Sequence, residues 1–171
     1  MLVPDINLLV YAYNSDSPDH ETARKWWEGA MSGIQPVGLP WLVILGYLRI
    51  MTSRRILARP LTAAEALAQI RSWLDQPQTH ILEPGPRHLD LLESLAVSAR
   101  VTGELTTDLH LAAIAIEHRA ELHSNDSDFG RFPGLRWISF WRSDSASARR
   151  HAPHSRRRSR SSPPTPLPAW S

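Results

Sequence analysis

Three aspartates stand at points along this chain where a carboxylate can do chemistry. Asp5 follows the apolar run Met1-Leu2-Val3, Asp126 follows the strand-like segment Glu121 to Ser124, and Asp108 opens a helical pattern. Parallel α/β sheets bind their ligands just beyond the carboxyl ends of the strands. If the strands before Asp5 and Asp126 are neighbours, and the Asp108 helix begins at the same edge, three carboxylates converge. Their repulsion would raise at least one pKa unless a cation neutralises them. Hard oxygen donors with water in the remaining positions suit Mg²⁺ or Mn²⁺. Such ions activate water and stabilise charge on a phosphoryl group in transfer, the chemistry of a metal-dependent nuclease or phosphatase. Each acid also has a plainer reading: Asp108 as a helix N-cap, Asp126 as a turn former, Asp5 as a cap on the first helix. The weight lies in their coincidence.

The elements that must position these acids can be read from pattern. Met1-Leu2-Val3 is strand-like and stops at Pro4-Asp5. Ile6 to Tyr13 suits a short helix, and His20 to Met31 a second with Asp19 as its N-cap. Trp41 to Thr52 is mostly apolar and too long for a usual strand, which predicts a buried helix. Thr62 to Leu74 opens with a capping box, Thr62 with Glu65, and ends before Pro77. Arg87 to Val101 reads as another helix. In the helix from Thr107-Asp108, apolar Leu109, Ala112, Ala113 and Ile116 recur at i, i+3, i+4 and i+7. Glu121 to Ser124 and Leu135 to Phe140 are the last strands. Interleaved strands and helices predict an α/β fold, a three-layer α/β/α sandwich with a mainly parallel central sheet.

Composition narrows the class. The 171 residues fit one domain, and 42% belong to the hydrophobic set, enough for a core. Cysteine is absent, which removes disulfides, thiol chemistry and cysteine-bound zinc. No apolar stretch reaches the ~18–20 residues of a membrane helix, and the first apolar run contains Asp5 and lacks a basic leader. A cytoplasmic protein is the expectation. The net charge of +2 conceals an uneven distribution: from Arg142 onward seven arginines face one acid, Asp144, which leaves 12 basic and 16 acidic side chains in residues 1–141. Residues 1–141 are therefore read as the domain, and 142–171, rich in Arg, Ser and Pro, as a disordered tail. Arg156-Arg157-Arg158 in that tail is either an RNA-contacting arm or part of a dispensable extension.

Three blocks carry a resemblance. Leu2-Val3-Pro4-Asp5-Ile6-Asn7, Leu105 to Ala113 and Ser124-Asn125-Asp126-Ser127-Asp128-Phe129 resemble, in order, the signature stretches of PIN domains. Leu39-Pro40-Trp41, Leu48-Arg49-Ile50-Met51-Thr52, Ile116 to Leu122 and Phe132-Pro133-Gly134-Leu135 are similar to the VapC toxins of toxin–antitoxin pairs. The resemblance spans residues 1–141 and implies a Mg²⁺- or Mn²⁺-dependent endonuclease acting on single-stranded RNA. It further implies an antitoxin partner whose tail blocks the acids, a homodimer, and no membrane association. By position, Asp5, Asp108 and Asp126 match the family's catalytic and metal-binding acids. Asp128 matches a secondary acid, and Asn7 a polar residue that orders the first acid.

One departure stands out. Many PIN domains carry a glutamate on the helix corresponding to 41–52, where this chain has Gly46, and no acid occurs between Glu28 and Glu65. The alternative to an active enzyme is thus a catalytically weak or inactive PIN-like module that binds RNA or antitoxin. Arg49 suits an RNA phosphate or a structural salt bridge. His110 is read as a surface or packing residue, and Trp26, Trp27, Trp41, Trp73 and Trp137 as core or dimer packing. No Ser or Cys nucleophile constellation is present, so hydrolysis would proceed without a covalent intermediate. Phosphatases with an aspartate nucleophile want an acid two residues after the first, where Asn7 stands.

Overall fold

A computed structural model describes residues 1–139. The expected tail, 142–171, and the end of the last predicted strand at Phe140 lie outside the described residues. Five short strands form one sheet: β1 (Leu2–Pro4), β2 (Val37–Pro40), β3 (Thr79–Leu82), β4 (Glu121–Ser124) and β5 (Arg136–Ser139). Their spatial order is β3-β2-β1-β4-β5 and every pairing is parallel. The sheet of an α/β/α sandwich is therefore wholly rather than mainly parallel. Six α-helices connect the strands among the described residues: α1 (Ile6–Tyr13), α2 (His20–Ser32), α3 (Trp41–Met51), α4 (Ala63–Leu74), α5 (His88–Ala99) and α6 (Thr106–Glu117).

The chain winds outward from β1 through β2 to β3, then crosses back to lay β4 on the other side of β1. The direction of winding reverses between β1 and β4, and in open parallel sheets that switch point is where a crevice opens. Register fixes the meeting: Leu2, Val3 and Pro4 stand opposite Glu121, Leu122 and His123. Whatever follows Pro4 and Ser124 is thereby brought to one edge.

Two strands, β2 and β3, are missing from the sequence reading. β2 is Val-Gly-Leu-Pro, four residues holding both a glycine and a proline, which ordinarily argue against a strand. Packing explains Gly38: a Cβ there would meet the Leu82 side chain at 2.5 Å and Met1 Sδ at 3.1 Å. β3 exposes His80 and Ile81 at an edge and so lacks an apolar signal.

Local chemistry sets the helices. The capping box on α4 is formed in both directions: Glu65 N–H donates to Thr62 Oγ1 at 3.2 Å, and Thr62 N–H to Glu65 Oε2 at 2.7 Å. Asp19 occupies the N-cap of α2 but makes no side-chain capping bond. The core between α1, α2, α3 and α4 is aromatic. Tyr47 and Trp73 are fully buried, and the Trp73 indole N–H donates to the Tyr13 hydroxyl at 2.7 Å. The packing reading holds for Trp27 and Trp73, which are buried, and for Trp26 and Trp137, which lie partly buried against the core. Trp41 is not part of the core: it is 48% exposed at the start of α3.

Candidate active site

Asp5 is the first residue after β1 and the N-cap of α1. Its Oδ1 accepts from the Ile6 N–H at 2.7 Å, so the plain capping role is real. Its Oδ2 accepts from Ser124 Oγ at 2.7 Å, across from the last residue of β4. The Ser124 hydroxyl also accepts from the Asp126 N–H at 2.9 Å. One buried serine thus ties the segment after β1 to the segment after β4 through two hydrogen bonds. Asp126 in turn accepts from the Asp128 N–H at 2.8 Å, which starts the 3₁₀ turn Ser127–Arg131 and makes Asp126 the turn former of the plainer reading as well.

Asp108 approaches from α6. It is not the N-cap: Leu105 holds that position, and Asp108 is the third helical residue, with no side-chain capping bond at this terminus. Its carboxyl is free of the cap and lies in the field of Asp5, Asp126 and Asp128. Asp5 is 6% exposed, and burial pushes its carboxyl up to about 6. The Ser124 and Ile6 hydrogen bonds oppose that rise, and the charge of Asp126 adds to it. Asp108 is pushed up to about 7, first by burial and then by the charges of Asp5, Asp126 and Asp128. Carboxyls held this far above the ordinary aspartate range mark a site with unneutralised negative charge.

The other expected residues fall into place unequally. Asn7 Nδ2 reaches Asp5 Oδ2 at 3.5 Å, the outer limit of a hydrogen bond. Asp128 contributes to the field at Asp108 and pairs with Arg131 at 3.7 Å. Arg49 is exposed and has no carboxylate partner among the described residues, so the salt-bridge reading fails. His110 packs, as read: its Nδ1 lies 2.9 Å from His88 Nε2, between α5 and α6. Gly46 is buried where α3 meets α1, and a Cβ there would stand 2.4 Å from Ile6 Cδ1. A glutamate has no room at that point without displacing the residue next to Asp5.

Sequence reasoning missed two residues. Ser124 was visible only as the start of a motif; its bridging role needs the β1–β4 register. Tyr11, four residues beyond Asn7 on α1, has its phenol pushed up by burial and by the charges of Asp19, Asp5 and Asp126. Such i, i+4 residues share a helix face, so Tyr11 borders the acids.

Hard carboxylate oxygens are the donor type that suits Mg²⁺ or Mn²⁺. Among the described residues, however, no group of three or more His, Asp or Glu side chains is arranged to hold an ion directly. An ion held here would keep several waters and take one or two carboxylates, the usual habit of Mg²⁺.

Comparison with known proteins agrees with the geometry. The profile of the PIN domain matches residues 2–135. Ribonuclease VapC33 of Mycobacterium tuberculosis is 47% identical over 137 residues, covering 80% of this chain and 96% of that protein. The crystal structure of VapBC2 from Rickettsia felis, bound to a DNA fragment from their promoter, superposes with a TM-score of 0.60 at 17% identity, covering 80% of this chain and 96% of that one. Mycobacterium tuberculosis VapC20, a sarcin–ricin loop cleaving toxin, gives a TM-score of 0.56 at 18% identity, covering 80% and 99%.

Proposed function

The chain belongs to the PIN-domain family, among the VapC-type ribonucleases, and on that premise we propose that it is a Mg²⁺- or Mn²⁺-dependent endonuclease of single-stranded RNA, the toxin of a toxin–antitoxin pair. The observation that carries the reading is the Ser124 bridge, which joins the acids after β1 and β4 at the switch point of the sheet.

In that reading, Asp5 and Asp108 hold the ion directly or through its water, and Asp126 completes the negative cluster and orients water. An ion bound there supplies an activated water and charge stabilisation at the scissile phosphate. The residues do the rest. A carboxylate offers about four acceptor directions, and Ile6 N–H and Ser124 Oγ occupy one on each oxygen of Asp5. The carboxylate is locked in orientation with acceptor capacity to spare. Asp126, whose Oδ1 is engaged by the Asp128 N–H, is similarly fixed and can accept from a water. Asp108 makes no side-chain capping bond, which leaves its carboxylate open to the ion or to the ion's water.

The structures of VapB–VapC complexes among its relatives in fold support an antitoxin as partner. A homodimer and a cytoplasmic location complete the proposal; no helix among the described residues is long and apolar enough to cross a membrane. The test is cleavage of a labelled RNA panel by antitoxin-free protein, titrated with Mg²⁺ and Mn²⁺. Metal-dependent cutting that Asp5→Asn abolishes, with the fold intact by circular dichroism, is the expected result. Cutting by Asp5→Asn at the wild-type rate refutes the site. Inactivity under every condition favours the alternative that Gly46 motivates, a binding module.

A further inference from the structure

The acids repel the phosphates of an RNA strand laid over them, so the parts of the strand that flank the cleaved bond need cations outside the cluster. In residues 1–141 acids outnumber bases, yet the span between Glu28 and Glu65 holds no acid and four arginines: Arg49, Arg54, Arg55 and Arg59. All four are exposed. The four arginines lie on α3 and on the 52–62 connection that follows it. β2 lies beside β1, whose carboxyl end carries Asp5. α3 starts at the residue after β2 and packs against Ile6 through Gly46.

The connection is folded rather than loose. Leu61 N–H donates to the Met51 carbonyl at 2.7 Å, and Leu57 N–H to the Ser53 carbonyl at 3.0 Å. Arg59 pins it to the loop that follows α1, donating to Asp16 Oδ1 at 2.6 Å and to Ser15 Oγ at 3.3 Å. α1 is eight residues long and begins beside Asp5, which sets the pin on the order of 15 Å from that carboxylate. Arg59 is occupied by Asp16; Arg49, Arg54 and Arg55 have no acidic partner among the described residues.

We propose that Arg49, Arg54 and Arg55 form a track for the phosphate backbone of single-stranded RNA flanking the cleaved bond, with Arg59 positioning it. The inference rests on the ribonuclease reading and assigns where its substrate is held. Guanidinium groups match phosphate oxygens in a paired geometry. Each phosphate neutralised on a single strand steepens the dependence of log affinity on log salt by about 0.7.

The experiment measures binding of a fluorescein-labelled, unstructured 20-nucleotide RNA to the full chain by anisotropy, over a series of salt concentrations. Asp108→Asn is present throughout to prevent cutting, and kcat and KM are measured separately without it. Arg54→Ala/Arg55→Ala is expected to weaken binding about tenfold at low salt and to lower the salt slope by about 1.4, two phosphates' worth. Adding Arg49→Ala should remove about 0.7 more, and the matching lysine variants should restore the slope. Cleavage should lose KM rather than kcat, with unchanged cut positions and melting temperature. An unchanged slope overturns the proposal. So does a slope that falls only with Arg156→Ala/Arg157→Ala/Arg158→Ala, which would give the role to the tail. Variants that bind RNA normally but lose an antitoxin would make the surface a protein-docking face and equally refute the track. Because binding is read without turnover, loss of slope in a protein that never cuts RNA counts against the enzyme alone.

Discussion

Ser124 is the smallest feature on which the site depends. It is fully buried, and its hydroxyl donates to one carboxylate while accepting from the backbone of another acid. Ser124→Ala removes a donor that stabilises ionised Asp5 and orphans the Asp126 N–H. A buried group left unpaired costs about 1–3 kcal/mol. The variant should melt several degrees lower by calorimetry, and the acidic limb of its activity profile should move to higher pH as Asp5 becomes harder to ionise. A profile that stays in place would show that Ser124 fills space only.

The raised carboxyls also make a stability prediction with a definite sign. The folded values, about 6 for Asp5 and about 7 for Asp108, lie above the ordinary 3.8. Stability from these two groups is therefore complete below about pH 3.8 and is lost as pH rises through 6 and 7. Glu21, Glu65 and Glu117, held below the usual 4.5, act oppositely and lose their contribution as pH falls below that value. Between pH 5 and 8 the aspartates dominate. Without divalent ions, Asp108→Asn should thus be more stable than the parent at pH 8 by about 1–2 kcal/mol, allowing for solvent screening, and indistinguishable from it near pH 4. Urea titrations at both pH values decide it; equal gains at both would mean that no charge repulsion is being relieved.

At the scale of elements, close approach of backbones explains what pattern reading missed. The helices were legible because their signals are local: a 3.6-residue apolar period, and a capping box in α4 that both hydrogen bonds confirm. β2 and β3 were not, because they are held as strands by their neighbours' register and by a glycine under Leu82. Gly46 is the same lesson at the site. From sequence it is an acid missing from a family pattern; in the fold it is the contact that lets α3 seat against Ile6. Gly46→Glu should not restore a carboxylate to the cluster. It should displace Ile6, destabilise by about 1–3 kcal/mol through overpacking, and lower activity by disturbing Asp5. A variant as stable as the parent with faster cleavage would show that the helix can shift and that the site lacked only an acid.

At the scale of the whole molecule, the fold is what turns distant aspartates into one electrostatic object, and that object should be detectable without any RNA. The sequence made the coupling of the acids conditional on the strands before Asp5 and Asp126 being neighbours, and β4 returning beside β1 meets that condition. No group of three or more His, Asp or Glu side chains among the described residues is arranged to hold an ion directly, so the prediction concerns a hydrated ion held by few carboxylates. An ion that binds only the folded state raises stability by RT ln(1 + [L]/Kd), about 2.7 kcal/mol at a hundredfold excess over Kd. For a chain of this size that is on the order of 5–10 °C in Tm. Protons compete for the same oxygens, and the carboxyls that must give them up sit near 6 and 7. The gain in Tm from Mg²⁺ or Mn²⁺ should accordingly be large at pH 8, small at pH 5, and absent at both in Asp5→Asn. Equal gains at the two pH values, or a gain that survives Asp5→Asn, would place the ion somewhere other than the junction of β1 and β4.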